Sequence, residues 1–511
     1  MAMTSLRQKH LNQALMRIPR RAESTDRRAL AATYVMAGSF SAMLHSTDHQ
    51  ILYGRRGTGK THALLYLADL IERTGDVPVY VDLRTIGSAG GMYPDGSMDL
   101  TSRGTHLLVD TLEAVHDELL NLAVEENGRE ALLPTLDPLA QAASAVQVVG
   151  EVERETTAGD KAESSSGIEL SARPVVKTSS GWTAHQESRV RRTGVERHHV
   201  VFGPLNRALR GIVRALDGAR LWLLLDEWSS VPLDLQPLLA DLLRRSVLPA
   251  AGVTVKIAAI ERRSRFSATA PGGDYVGIEV GADAASAVSL DDCMVFDHAR
   301  TRSQEFFGQL LHNHTTSRLA GMAALAPADV PTFLEETFRR NAFAELVRAA
   351  EGVPRDAINI VALAAQHAHS EPIGLPHVRL AARDWYLRDK QTAIVDDEPA
   401  RQTLRLLVDE VVGRRRSRTF LIDQLTEEES VNALYDARLL HVLRRGLADK
   451  RHPGTLYDGF AIDFGCYVSL LLNGELSVPP KDKGSWLSSA RGVPPDGFNL
   501  AAEIVDLSQL R

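Results

Sequence analysis

The chain has 511 residues, of which 44% are hydrophobic and 24% charged. That is the texture of a globular protein with ample apolar side chain, and at about 100–200 residues per domain it predicts three or so domains. With 58 Lys and Arg against 65 Asp and Glu the net charge is −7, which excludes a global basic field drawing the whole molecule onto nucleic acid. Two distant cysteines, Cys293 and Cys466, exclude a disulfide framework and a cysteine zinc cluster and fit a reducing cytoplasm.

Taken in order, residues 1–25 are basic, without the long apolar core or small-residue cleavage site of a signal peptide, and predict a terminal helix or arm. Residues 26–46 carry apolar residues at helical spacing, and the run HQILYG predicts a strand ending at Gly54. An amphipathic helix over 61–75, a buried strand over 77–85 and a long helix over 101–125 follow. Strand, helix, strand and helix in alternation predict an α/β fold with a parallel sheet. Residues 146–199 are rich in Ser, Thr, Gly and charge, and predict a flexible insertion. Order resumes with a helix over 204–217, the apolar strand RLWLLLDE, a helix over 233–245 and the apolar strand VTVKIAAIE, so residues 26–299 predict one core. Helices are expected at 300–313, 331–350, 351–368, 376–390 and 399–413. Beyond them come a helix over 426–439, strands over 439–445 and 456–465, and a Pro- and Gly-rich tail over 473–511. No run of about 18 apolar residues predicts a membrane span.

The chemistry begins at Gly54. Gly54, Arg55, Arg56, Gly57, Thr58, Gly59, Lys60 and Thr61 fit G-x-x-x-x-G-K-[ST], between a predicted strand and a predicted helix. A loop that wraps its amides around phosphate oxygens needs glycines for positive φ and close approach, and the following helix points its positive end at the anion. The expected nucleotide contacts are Gly54, Gly57, Thr58, Gly59, Lys60, Thr61 and His62. Lys60 is the point charge for the terminal phosphates, and the Thr61 hydroxyl a ligand for Mg²⁺. Arg55 and Arg56 either add positive potential or are paired with acids elsewhere. The second anchor is Asp226 and Glu227 at the end of LWLLLDE, which a buried strand delivers to the carboxyl edge of the sheet. Asp226 is the expected Mg²⁺ residue and Glu227 the base that polarises water. His312 and His314, in the triplet HNH, have no metal-ligand set near them in sequence.

GRRGTGKT with its preceding helix, LLLDEWSSVP, VKIAAIE followed by RRSRF, and GVPRDAINI together resemble the AAA+ and related STAND ATPases. The resemblance, over residues 26–370, is to bacterial relatives of the origin-recognition-complex ATPases. It implies a P-loop NTPase core, a small helical lid over 300–372 and a winged-helix-like domain over 373–472, with ATP and Mg²⁺ between core and lid. It also implies that Arg355 is the lid arginine that grips the nucleotide. Glu261 or Arg262 stands where that family usually has an Asn sensor. One of Arg262, Arg263 and Arg265 resembles the arginine that completes a neighbouring subunit's site in a homo-oligomer. In the C-terminal domain, GLADKRHPGT is a candidate wing, and Arg414, Arg415, Arg416, Arg418, Arg444, Arg445, Lys450 and Arg451 are candidate DNA phosphate contacts. The helix beginning TEEES is too acidic at its start to suit a major groove. The implied function is a nucleotide-driven ATPase switch or remodeller, possible on DNA. The alternative is a STAND-like signalling ATPase of a defence system that activates a partner effector protein.

Overall fold

The computed structural model describes residues 2–22, 27–35, 40–87, 99–125, 129–143, 146–149, 195–198, 202–269, 275–283, 286–293, 300–426, 428–448, 454–483, 485–487 and 502–507. A helix, α1 (Ala2–Met16), precedes an α/β core built on five strands: β1 (Gln50–Tyr53), β2 (Val77–Asp82), β3 (Leu221–Asp226), β4 (Val253–Ala259) and β5 (Ser286–Ser289). They form one parallel sheet in the order β2-β3-β4-β1-β5. Every residue of β3 and β4 is buried. Helices cover both faces of a parallel sheet, so its central strands read as unbroken apolar runs. On one face α2 (Lys60–Arg73) packs Ala63, Leu64, Leu67 and Ile71 against Trp222, Leu224 and Ala258. On the other lie α3 (Leu100–Glu125), α4 (Phe202–Ala215) and α5 (Gln236–Ser246), with Leu223, Leu225, Val255 and Ile257 beneath them. The register pairs Tyr53 with Ala259 and Leu225 with Ile257. Gly54, Asp226 and Ile260 therefore leave the sheet at a single edge, with β4 standing between the loop strand and the acid strand.

Most of the stretch expected to be a flexible insertion lies outside the described residues. Its two ends, Val146–Val149 and Val195–His198, pair antiparallel.

The stretch expected as a lid contains α6 (Arg300–Arg318), α7 (Ala342–Ala350) and α8 (Pro354–Ala368), followed by α9 (Leu375–Trp385). The basic N-terminus, expected as a helix or arm, is a helix built into this layer. Leu11, Ala14 and Leu15 are buried, and Asn12 Nδ2 donates to the carbonyls of His369 (2.8 Å) and Glu371 (3.0 Å). The C-terminal domain adds α10 (Glu398–Leu407), α11 (Glu429–Asp436) and α12 (Phe464–Leu472). Its antiparallel sheet of β6 (Thr419–Asp423), β7 (Leu440–Ala448) and β8 (Leu456–Ile462) runs in the order β6-β8-β7. Strand β6 had no counterpart in the sequence reading, and residues 449–453 of the expected wing lie outside the described residues. One hydrophobic core joins lid and C-terminal domain: Leu346, Ala349 and Ile360 share it with Phe420, Leu434 and Phe460.

The tail departs from the irregular stretch expected. Leu421 exchanges backbone hydrogen bonds with Glu503 and Val505, so the tail runs along β6. Trp486 is fully buried against Gly459, where a Cβ would sit 2.3 Å from its ring. Among the described residues no helix is long and apolar enough to cross a membrane.

Candidate nucleotide-binding site

The loop between β1 and α2 has the backbone its glycines allow. Gly57 and Gly59 adopt φ of 86° and 97°, a region costly for residues with a Cβ, and Gly59 is the N-cap of α2. Gly54 N–H donates to Ala259 O, tying the loop to β4. The Lys60 ammonium folds back on its own loop and donates to the carbonyls of Gly54 (2.8 Å) and Arg55 (3.1 Å). Burial pulls Lys60 below the ordinary lysine range, while the carboxylates of Asp226, Glu227 and Asp291 act in the opposite direction. Those acids therefore lie within electrostatic reach of the loop lysine. Thr58 is buried and its hydroxyl donates to Arg55 O (2.9 Å), while Thr61 is half-buried at the start of α2.

Asp226 is completely buried at the end of β3. One of its oxygens accepts from Tyr80 OH (2.9 Å), the other from the Glu227 N–H (2.8 Å). A carboxylate has about four lone-pair sites, so both oxygens keep capacity for a cation. Glu227 sits in the left-handed region, φ 57°. This conformation turns its chain out of the strand and costs of order 1–3 kcal/mol. Burial, then the Asp226 charge, raises the Glu227 carboxyl above its usual range, against the pull of Lys60 and Arg84. A carboxylate so placed is a better proton acceptor than an exposed one.

From the lid, the first turn of α8 closes on the loop. Arg355 N–H donates to Gly57 O (3.1 Å), and a Cβ on Gly57 would sit 2.7 Å from the Arg355 Cβ. Arg355 contributes to the charge felt by Lys60. The structure thus gathers Gly54, Gly57, Thr58, Gly59, Lys60, Asp226, Glu227 and Arg355 at one edge. His62 turns elsewhere: its Nε2–H donates to Leu30 O (2.8 Å), and its ring meets Tyr34 edge-on at 5.1 Å.

The arginines take internal partners. Arg55 is buried in an ion pair with Asp291 (2.9 Å) and reaches His441 Nδ1 (2.7 Å) in the C-terminal domain. Arg262 lies over the Tyr435 ring at 4.9 Å and donates to Asn432, and Arg263 pairs with Asp436 (2.6 Å). In this conformation both are turned to their own chain, not to a neighbour. Arg265 donates its backbone N–H to Gln236 Oε1 (2.6 Å). Most of the expected DNA-binding cluster is similarly engaged, whereas Arg416 is exposed, at φ 52°. Arg414 and Arg415 pair with Glu410, Arg418 with buried Glu351, Arg444 with Trp486 O, and Arg445 with Glu261. Lys450 and Arg451 lie outside the described residues. Sequence reasoning missed Asp291, Tyr435, His441 and Asp463. Arg55 and His441 stand 386 positions apart, and no local pattern joins them.

No known protein-family profile matches the chain, and no curated protein matches its sequence. Among solved structures it is similar to the Aeropyrum pernix Orc1 protein in complex with DNA. The identity is 12%, the match covers 91% of this chain and 96% of that one, and the TM-score is 0.28.

Proposed function

We propose that the chain is an ATP-binding and ATP-hydrolysing switch of the ORC-like AAA+ kind. The observation that carries this reading is the single sheet edge at which the glycine loop and Lys60 meet buried Asp226 and half-buried Glu227. The loop amides and the N-terminus of α2 bind the phosphates, and Lys60 exchanges two loop carbonyls for phosphate oxygens. Thr61 and Asp226, a hydroxyl and a carboxylate, suit a hard cation and would hold Mg²⁺. When bound, Mg²⁺ neutralises phosphate charge. Glu227 orients a water and takes its proton, and Arg355 brings lid charge to the same phosphates. Because the lid shares a core with the C-terminal domain, the output of the switch is movement of both against the ATPase core. A DNA or effector-protein partner would respond to that movement, and the possible homo-oligomer would form through surfaces this conformation leaves outside.

The test is ATP turnover by purified full-length protein with and without Mg²⁺, and with and without duplex DNA at two salt concentrations. Mg²⁺-dependent turnover that Lys60→Ala removes is expected. Turnover that survives Lys60→Ala would sink the assignment. Stimulation by DNA that falls steeply with salt identifies DNA as the partner.

A further inference from the structure

A continuous chain of buried polar groups leaves the phosphate loop, crosses the C-terminal domain and returns to the loop from the lid. Arg55 N–H and Nε donate to Asp291 (both 2.9 Å) and its Nη1 donates to His441 Nδ1 (2.7 Å). A guanidinium only donates, so Nδ1 accepts and the His441 proton is on Nε2, donating to Asp463 Oδ2 (3.0 Å). Lys390 bridges Asp463 (2.5 Å) and Asp356 (2.9 Å), and Asp356 also accepts from Arg438 (2.7 Å). Asp356 is the neighbour of Arg355, whose N–H holds Gly57 O. A second, exposed seam lies alongside: Glu261 pairs with Arg445 (2.6 Å), Arg263 with Asp436 (2.6 Å), and Arg262 lies on Tyr435.

Arg55 is the residue through which the buried chain reaches the loop. Its carbonyl accepts from Lys60 and Thr58, and its side chain holds His441. With the C-terminal domain docked, Lys60 rests on loop carbonyls, and Arg55, Arg262 and Arg263 are committed to internal partners. A triphosphate draws on Lys60 and on the loop that Arg55 ties to the C-terminal domain. We propose that docking of the C-terminal domain on the ATPase core opposes binding of a nucleoside triphosphate at the loop, with His441 a positioning residue that acts on the loop through Arg55. The proposal rests on the nucleotide reading of the site and adds its regulation. Coupling of two binding equilibria is reciprocal, so nucleotide must loosen the dock by the factor with which the dock weakens nucleotide.

The experiment uses the full chain, a methylanthraniloyl derivative of ATP as probe, and amide hydrogen exchange over 429–436. Asp436→Ala combined with Arg445→Ala opens the exposed seam without touching the loop. It is expected to speed exchange in α11 and to tighten the probe's Kd by roughly 5- to 30-fold, within the range of ordinary allosteric coupling. In the wild type, the probe is expected to speed α11 exchange. His441→Leu should tighten binding like the seam variant, whereas His441→Asn, which keeps an oxygen to accept from Arg55, should retain the wild-type Kd. Faster α11 exchange with a Kd within about twofold of wild type, weaker binding, or α11 exchange unmoved by both the seam variant and His441→Leu each overturns the proposal. Failure of wild type and variants alike to bind the probe overturns the nucleotide site itself, a separate result from normal binding that ignores the dock.

Discussion

Lys60 rests on the loop carbonyls here and, in the proposed nucleotide complex, would exchange them for a phosphate. Its removal is expected to weaken ATP binding by about 1.5–3 kcal/mol, roughly 10- to 150-fold in Kd, the value of a hydrogen bond to a charged group, measured by calorimetric titration. Glu227→Gln is expected to keep ATP bound and to slow its hydrolysis by about 10²- to 10⁴-fold, read from single-turnover kinetics. If the Gln variant turns over at the wild-type rate, the base is another group. Acid should also act at this scale. Burial drives His441 down to about 4, with Arg55 and Lys390 adding to the effect, and Asp463 beside Lys390 and His441 is held at about 2 despite its burial. Both groups bind fewer protons folded than unfolded. Stability is therefore lost as pH falls from about 6.5 towards 4 through His441, and again below about 3.8 through Asp463. Melting temperature measured across pH 7 to 4 should fall, and His441→Asn should flatten the upper part of that fall. The loop residues and the two acids were legible because each set is contiguous in sequence and its chemistry dictates its spacing. His441 and Asp291 were not, since a lone buried His or Asp has no local signature until the fold brings it to Arg55.

At the level of elements, reading succeeded where burial was complete and failed where it was shared. Strand β3 announced itself because both of its faces are covered, leaving no polar alternation to dilute LWLLLD. Strand β6 is five residues long and follows an arginine-rich stretch, so TFLID had too few positions to show a period. The tail was unreadable for another reason: its buried residues, Trp486 and Val505, are sparse anchors among Pro and Gly, each packed against a distant strand. Trp486→Ala should destabilise the protein by about 3–5 kcal/mol, the usual cost of deleting a buried aromatic, measured by urea unfolding. Full stability in that variant would mean the strap contributes nothing. Gly57→Ala acts on the meeting of loop and lid. It demands a left-handed alanine, costing about 1–2 kcal/mol, and forces a methyl onto the Arg355 Cβ. Nucleotide affinity should drop while the C-terminal sheet keeps its hydrogen-exchange protection.

For the molecule as a whole, an expected division into core, lid and C-terminal domain was readable from changes of pattern along the chain. The functional grouping was not. Lid and C-terminal domain share one apolar core, so they are expected to move as one body. Paired cysteine labels, one on α7 and one on α12, should keep their separation on adding ATP. A label on α5 should move relative to both. Of the arginines expected to meet DNA, Arg445 is turned to the ATPase core through Glu261, while Arg414 and Arg415 pair with Glu410, Arg418 with Glu351 and Arg444 with Trp486 O.

The place of α1 sets an order of events in synthesis. Asn12 and its partner His369 are 357 positions apart. At about 5–20 residues per second a ribosome delivers them roughly 20–70 s apart. For that interval Leu11, Leu15 and Ile18 lack the surface that covers them here, and α1 finds its seat only after that surface is made. The nascent chain thus presents a sticky helix face that a holding chaperone would shield until residues 300–385 emerge.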